Sequence, residues 1–93
     1  MTHVIVHEKV RDHAKWIEVF NRDAPHRTGS KGGTIYQVEE SPNEHYIVYD
    51  WDDKAAKDFM ALAKTPEMQK VFRDAGVLEQ EFRLCPKEIK FQK

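Results

Sequence analysis

Three things are scarce in this chain. It carries one cysteine, Cys85, so no internal disulfide can staple it. Its formal net charge is only −1, which gives no overall field to attract nucleic acid or an anionic membrane. No apolar run approaches the roughly 18 residues needed to cross a bilayer, so no membrane span is expected. The first residues, Met1-Thr2-His3-Val4, open a strand pattern and lack the long apolar core of a signal peptide. A cytoplasmic location is the expectation. At 93 residues the chain makes one small domain with a thin core, a size at which oligomerisation is a common remedy.

What is present is a sequence of periods. Residues 3–10 alternate, with His3, Ile5, His7 and Lys9 on one face and Val4, Val6, Glu8 and Val10 on the other. Asp12 can cap a helix reaching about Asp23, with Trp16, Ile17, Phe20 and Ala24 as its apolar stripe. Gly29, Gly32 and Gly33 mark a flexible connector. Thr34 to Glu40 and Glu44 to Trp51 read as paired strands, with turn chemistry at Ser41-Pro42-Asn43. That register sets Tyr36 opposite Tyr49 and Thr34 opposite Trp51. Asp52 or Asp53 starts a second helical region, and Thr65-Pro66 restarts it. Gly76 stops it, and Phe82 and Leu84 lie in a last strand that Pro86 limits to an edge.

Strand, helix, strand, strand, helix, strand predicts an α+β fold: a ferredoxin-like βαββαβ domain spanning 1–93, with a four-stranded antiparallel sheet and helices on one face. The other face is then bare. Ile5, Tyr46 and Val48 are apolar against Val4, Val6, Ile47 and Tyr49, so these strands are apolar on both sides and predict a cover, most simply a second copy. Ile89 and Phe91, apolar in a polar tail, also call for a surface.

The run Val10-Arg11-Asp12-His13-Ala14-Lys15-Trp16, then Phe20, Arg27, Gly29-Ser30-Lys31-Gly32-Gly33, Pro42-Asn43-Glu44, Trp51-Asp52, Met68 and Ala75-Gly76-Val77 resembles the small cyclase-like proteins of the dimeric α+β barrel superfamily. That superfamily includes the antibiotic-biosynthesis monooxygenases and polyketide cyclases. The resemblance covers nearly the whole chain. It implies two subunits packed sheet on sheet, a cavity in each protomer, and chemistry that needs no cofactor or metal. The chain departs from the pattern at Glu8, where similar sequences carry a histidine, and at His13, where they carry an aromatic residue.

Several residues have the chemistry for a site. His7 could serve as a general base near neutral pH, or be an ordinary hydrogen-bonded strand histidine. Asp50 is a carboxylate inside an apolar run: a base if desolvated, otherwise an ion-pair or capping residue. Tyr36, Tyr49 and Trp51 could line a pocket for a planar aromatic ligand, or be core. Arg27 could bind a carboxylate or phenolate, or anchor its loop. His3 and His7 lie roughly 13 Å apart along one strand face, too far to share a metal. The Gly29–Gly33 segment lacks the ending of a phosphate loop, and the lysines at 87, 90 and 93 read as a solvated tail, without the aromatic interleaving on a basic face that marks a nucleic-acid stripe.

Two functions compete. One is a cofactor-independent cyclase or monooxygenase acting on a planar aromatic or polyketide-like molecule. The other is a non-catalytic dimeric module that binds a small ligand or acts in a stress response. A haem-degrading relative would need a suitable histidine at the mouth of a large cavity, and no specific feature supports one.

Overall fold

Alternation in the first strand determines which side of the sheet becomes core. A computed structural model describes residues 1–93. Strand β1 (Thr2–Val10) buries Val4, Val6, Glu8 and Val10 and turns His3, Ile5 and His7 the other way. Helix α1 (His13–Arg22) follows, capped by the Asp12 carboxylate, which accepts from the Ala14 N–H. A 3-10 turn over Ala24–Arg27 leads into β2 (Ser30–Val38) and β3 (Ser41–Trp51). Helices α2 (Asp53–Ala63) and α3 (Pro66–Asp74) come next, and β4 (Val77–Cys85) closes the domain. Thr65 caps α3 by accepting from the Met68 N–H, with Pro66 at the first helical position. Gly76 ends this region at φ 82°, a left-handed conformation that glycine adopts without strain.

The strands form one antiparallel sheet in the order β2-β3-β1-β4. This is the expected ferredoxin-like βαββαβ architecture. The helices cover one face. Against them lies a core of Val4, Val6, Val10, Ile47, Tyr49 and Trp51 from the sheet and Trp16, Val19, Ala56 and Phe59 from the helices. Phe59 is at its centre, stacked on Trp51 at 4.5 Å and edge-on to Tyr49 at 5.6 Å. The stripe of α1 differs from expectation at one place: Val19 is buried, while Ala24 lies beyond the helix and is exposed.

The hairpin is where the structure departs most from the periodicity. Tyr36 pairs with Tyr46, not Tyr49, and Thr34 pairs with Val48, not Trp51. The turn falls at Glu39-Glu40, with Glu40 at φ 64°, and β3 begins at Ser41. Of the expected turn residues, Ser41 is already paired strand, and Pro42 and Asn43 fall with Glu44 in a bulge, because Val38 pairs with Ser41 while Gln37 pairs with His45. The bulge is tied down locally. Gln37 Nε2 donates to the Pro42 carbonyl at 2.7 Å, and Asn43 Oδ1 accepts from the His13 N–H at 3.0 Å, joining the hairpin to the start of α1. The glycine-rich connector is also strand: a side chain on Gly33 would come within 2.2 Å of the Val48 carbonyl oxygen.

The sheet face away from the helices carries His3, Ile5 and His7 from β1, Tyr46, Val48 and Asp50 from β3, Tyr36 from β2, and Glu81 and Arg83 from β4. Its centre is aromatic and aliphatic and its margins are charged. Tyr36 and Tyr46 are 57% and 42% exposed there, so nothing within one copy roofs them. No helix is long and apolar enough to cross a membrane.

Candidate functional site

Between the sheet and the helices lies a predominantly apolar cavity. Val6 and Glu8 of β1, Trp16 and Phe20 of α1, Ile47 and Tyr49 of β3, Met68 and Phe72 of α3, and Phe82 of β4 form its walls, with Asp23 and Arg27 beside α1. The void measures about 450 Å³ with the open solvent at its mouth included. It is a narrow slot with mainly apolar and aromatic walls. A second hollow beside it, reaching Gly33 and Thr34 of β2, shares Phe20, Arg27, Ile47 and Tyr49 with the first.

Four polar side chains face this apolar space. Arg27 lies with its guanidinium 3.8 Å above the Phe20 ring centroid and 4.0 Å from Asp23. Burial draws its pKa down, against the attraction of nearby acidic groups. Tyr49 is buried, and its phenol is held well above its ordinary value, first by desolvation and then by the charge of Glu8, with Arg27 pulling the other way. Glu8 is almost wholly buried.

A lone carboxylate in such a place would cost several kcal/mol. Glu8 is not alone. Its Oε1 accepts from His45 Nε2 at 2.8 Å, and its Oε2 accepts from Gln80 Nε2. The three residues come from β1, β3 and β4, side by side on the helix face of the sheet. With Glu8 as acceptor, the hydrogen of His45 sits on Nε2. Trp16 covers the His45 ring at a centroid distance of 3.9 Å, and His13 meets it edge-on at 5.5 Å. His45 Nδ1 and His13 Nε2 are buried without a protein hydrogen-bond partner. Burial lowers the His13 pKa, and proximity to His45 lowers it further.

The residues singled out from the sequence divide between the two faces. Tyr49 and Arg27 meet at the cavity. Trp51 lies beyond it, packed on Phe59 in the core. His7, Asp50 and Tyr36 are on the opposite face of the sheet. There His7 stacks on Tyr46 at 4.5 Å and bonds Glu44 at 2.6 Å, and Asp50 bonds His3. Glu8's partners, buried His45 and half-buried Gln80, escaped sequence reading, although a signal existed for His45. Glu8 is in phase with Val4, Val6 and Val10, and His45 with Ile47, Tyr49 and Trp51. A polar residue in step with the apolar positions of each of two strands is the trace of a buried pair.

No protein-family model and no curated protein matches the chain. Solved structures do. SnoaB from Streptomyces nogalater, a cofactor-independent oxygenase, superposes with a TM-score of 0.73 at 16% identity, covering 99% of this chain and 97% of that one. An antibiotic biosynthesis monooxygenase gives 0.65 at 13% identity over 96% of this chain and 100% of the other. A protein of Bordetella bronchiseptica, provisionally named an antibiotic biosynthesis monooxygenase, gives 0.68 at 16% identity over 95% and 97%. The chain therefore shares the fold of the antibiotic biosynthesis monooxygenases.

Proposed function

We propose that the chain is a cofactor-independent monooxygenase that admits a planar phenolic or polyketide-like ring into the slot between its sheet and helices, and that it works as a homodimer. The observation that carries this reading is the slot itself: apolar and aromatic walls with Arg27, Tyr49 and Glu8 at their polar points. The likeness in fold to SnoaB, an oxygenase that needs no cofactor, supports the reaction class. In such a reaction an activated ring CH2 becomes a carbonyl. One oxygen atom enters the ring, the other leaves as water, and the substrate supplies all the electrons. The protein's part is to bind the ring, favour its anion and keep out bulk water. Arg27 offers a cation to that anion, and the Tyr49 hydroxyl can donate to its oxygen. A cyclase would use the same slot and the same two groups to hold an enolate. His7 and Asp50 enter this reading only as residues of the face that a second subunit would cover.

The narrowness of the slot favours a second reading, a dimeric module that binds a small ligand without transforming it. Two measurements separate them. Planar phenols are screened by thermal shift, and those that bind are followed in an oxygen electrode with a metal chelator present. Binding with oxygen uptake and a carbonyl product fits the monooxygenase, and binding without turnover fits the module. The absence of any binding removes both.

A further inference from the structure

We propose that Glu8, held by His45 and Gln80, is a general base of the cavity, able to remove a proton from a flat carbon or oxygen acid lying in the slot. The inference deepens the reading above and rests on it, since it needs the slot to admit a ring.

Three observations carry it. First, Glu8 is one of two carboxylates in the wall of an otherwise mostly apolar cavity, and the other, Asp23, is already engaged by His26 and Arg27. Second, it is anchored from both sides: one oxygen accepts from His45 at 2.8 Å and the other from Gln80, which fixes its plane and leaves each oxygen a further lone pair. Third, a purely structural link between β1, β3 and β4 has no need of charge. Apolar residues of similar volume commonly serve as well or better at buried ion-pair positions, and the flanking positions Val6 and Ile47 on these same strands are apolar. A buried, oriented and weakly solvated carboxylate is the arrangement in which proton abstraction from carbon is fast.

Glu8 takes the proton. The electron pair stays on the substrate, and the anion so formed has Arg27 in the same cavity as its counter-charge. His45 does not touch the substrate. It is a positioning residue that donates Nε2–H to the carboxylate. The groups facing Glu8 are His45 and Tyr49 on β3 and uncharged Gln80 on β4, with His13 on α1 behind His45 and Asp23 and Arg27 across the cavity.

The test uses the full chain and a nitrobenzisoxazole, a flat bicyclic carbon acid. Removal of its ring C–H proton forms the nitrile, breaks the N–O bond and releases a yellow cyanonitrophenolate, with no oxidant or cofactor involved. The wild type is expected to quench Trp fluorescence on binding and to turn over, with a rate that rises with pH to a plateau. Glu8→Gln is expected to bind equally and lose at least about 10²-fold in rate, the low end for a positioned base. His45→Leu is expected to keep the pH-rate shape but move its acid limb to higher pH, a change that loss of packing alone does not produce. Should Glu8→Gln fail to fold, Glu8→Asp retracts the carboxylate while keeping its charge, and is expected to lose at least about tenfold. Binding without turnover by the wild type, or an undiminished rate in folded Glu8→Gln or Glu8→Asp, overturns the base while leaving the slot. An unmoved acid limb in His45→Leu removes the part assigned to His45. Failure of the wild type to bind overturns both the base and the reading on which it rests.

Discussion

His3, in the first strand, hydrogen-bonds through Nε2 to Glu88 Oε2 at 2.7 Å, while its Nδ1 bonds Asp50 of the neighbouring strand. One imidazole thus pins the C-terminal tail to the margin of the bare sheet face. Both ring nitrogens face carboxylates, and only the cation can donate from both. The hydrogen bond to Glu88 and then that to Asp50 raise the His3 pKa above its ordinary 6.5. Because the folded value is the higher one, the linkage is fully present below about pH 6.5 and is lost as pH rises through the raised value. His26, raised by Asp23 and Glu67, acts with the same sign. Trypsin cleavage after Lys87 and Lys90 is therefore expected to be slow at mildly acid pH and faster above neutrality, after correction for the enzyme's own pH dependence. In His3→Gln the corrected rate should be fast and flat. A wild-type rate that does not vary would refute the pin.

The glycines give a ranked expectation. At Gly33 a Cβ would lie 2.2 Å from the Val48 carbonyl oxygen and 2.5 Å from Tyr49 Cα, both backbone atoms that cannot swing aside. At Gly76 the obstacle is φ 82° more than space, the nearest atom being Arg11 Cβ at 3.4 Å. Gly33→Ala should cost about 3 kcal/mol, the upper part of the overpacking range, and Gly76→Ala about 1 kcal/mol for a left-handed residue. Urea melts check the order, and a more stable Gly33→Ala would show that β2 and β3 are not so close.

Much of this architecture was legible in the residues. Asp12 and Thr65-Pro66 announce helix starts by satisfying N–H groups that a first turn leaves open, and Gly76 announces a stop. The alternation of Val4, Val6 and Val10 orients the whole sheet. The hairpin register was not legible, because Tyr36, Val38, Tyr46 and Tyr49 leave both faces apolar, and a strand of that kind pairs as well after a shift. Pro42-Asn43 looks like a turn and becomes a bulge. The turn instead rests on Glu40, a residue type with no preference for positive φ. For the site, Arg27 and Tyr49 could be named from chemistry alone, but their meeting at one cavity depends on tertiary packing. The pairing of Glu8 with His45 depends on a register that only the folded sheet reveals.

Phe59 joins the site to the core. It stacks on Trp51 at 4.5 Å, meets Tyr49 edge-on at 5.6 Å and lines the slot. Phe59→Ala should cost about 3–5 kcal/mol, the range for a buried phenylalanine. Phe59→Leu, which retains most of the volume, should lose less than half of that. Equal losses in the two variants would place the energy in ring stacking rather than in filled volume.

The two tyrosines separate the slot from the bare face. Tyr49 lines the slot, and Tyr36 stands 57% exposed on the other side of the sheet. If planar phenols bind in the slot, Tyr49→Phe should weaken a hydrogen bond to the ligand by about 1 kcal/mol, close to fivefold in affinity, and Tyr36→Phe should do nothing. Calorimetric titration of both variants with one phenol decides it. The reverse pattern would move the binding site to the space between subunits.

Self-association is the expected consequence of the exposed centre of the sheet. Ile5, Val48, Tyr46 and Tyr36 form an apolar patch ringed by His3, Asp50, Glu81 and Arg83, an apolar middle with a charged rim as in interfaces between proteins. A second copy turned about a two-fold axis would set patch on patch, the commonest symmetry for a soluble pair. Light scattering at micromolar concentration should therefore give twice the 11.0 kDa of one chain. Val48→Lys and Tyr46→Lys together should return it to one, since an unpaired charge in the middle of the patch would have to be desolvated. Within a single copy both positions touch water, so the circular dichroism of the helices and the melting of the monomer should change little. A wild type of single mass at these concentrations would leave the patch without a partner, and a double-lysine variant that still pairs would put the contact on some other surface.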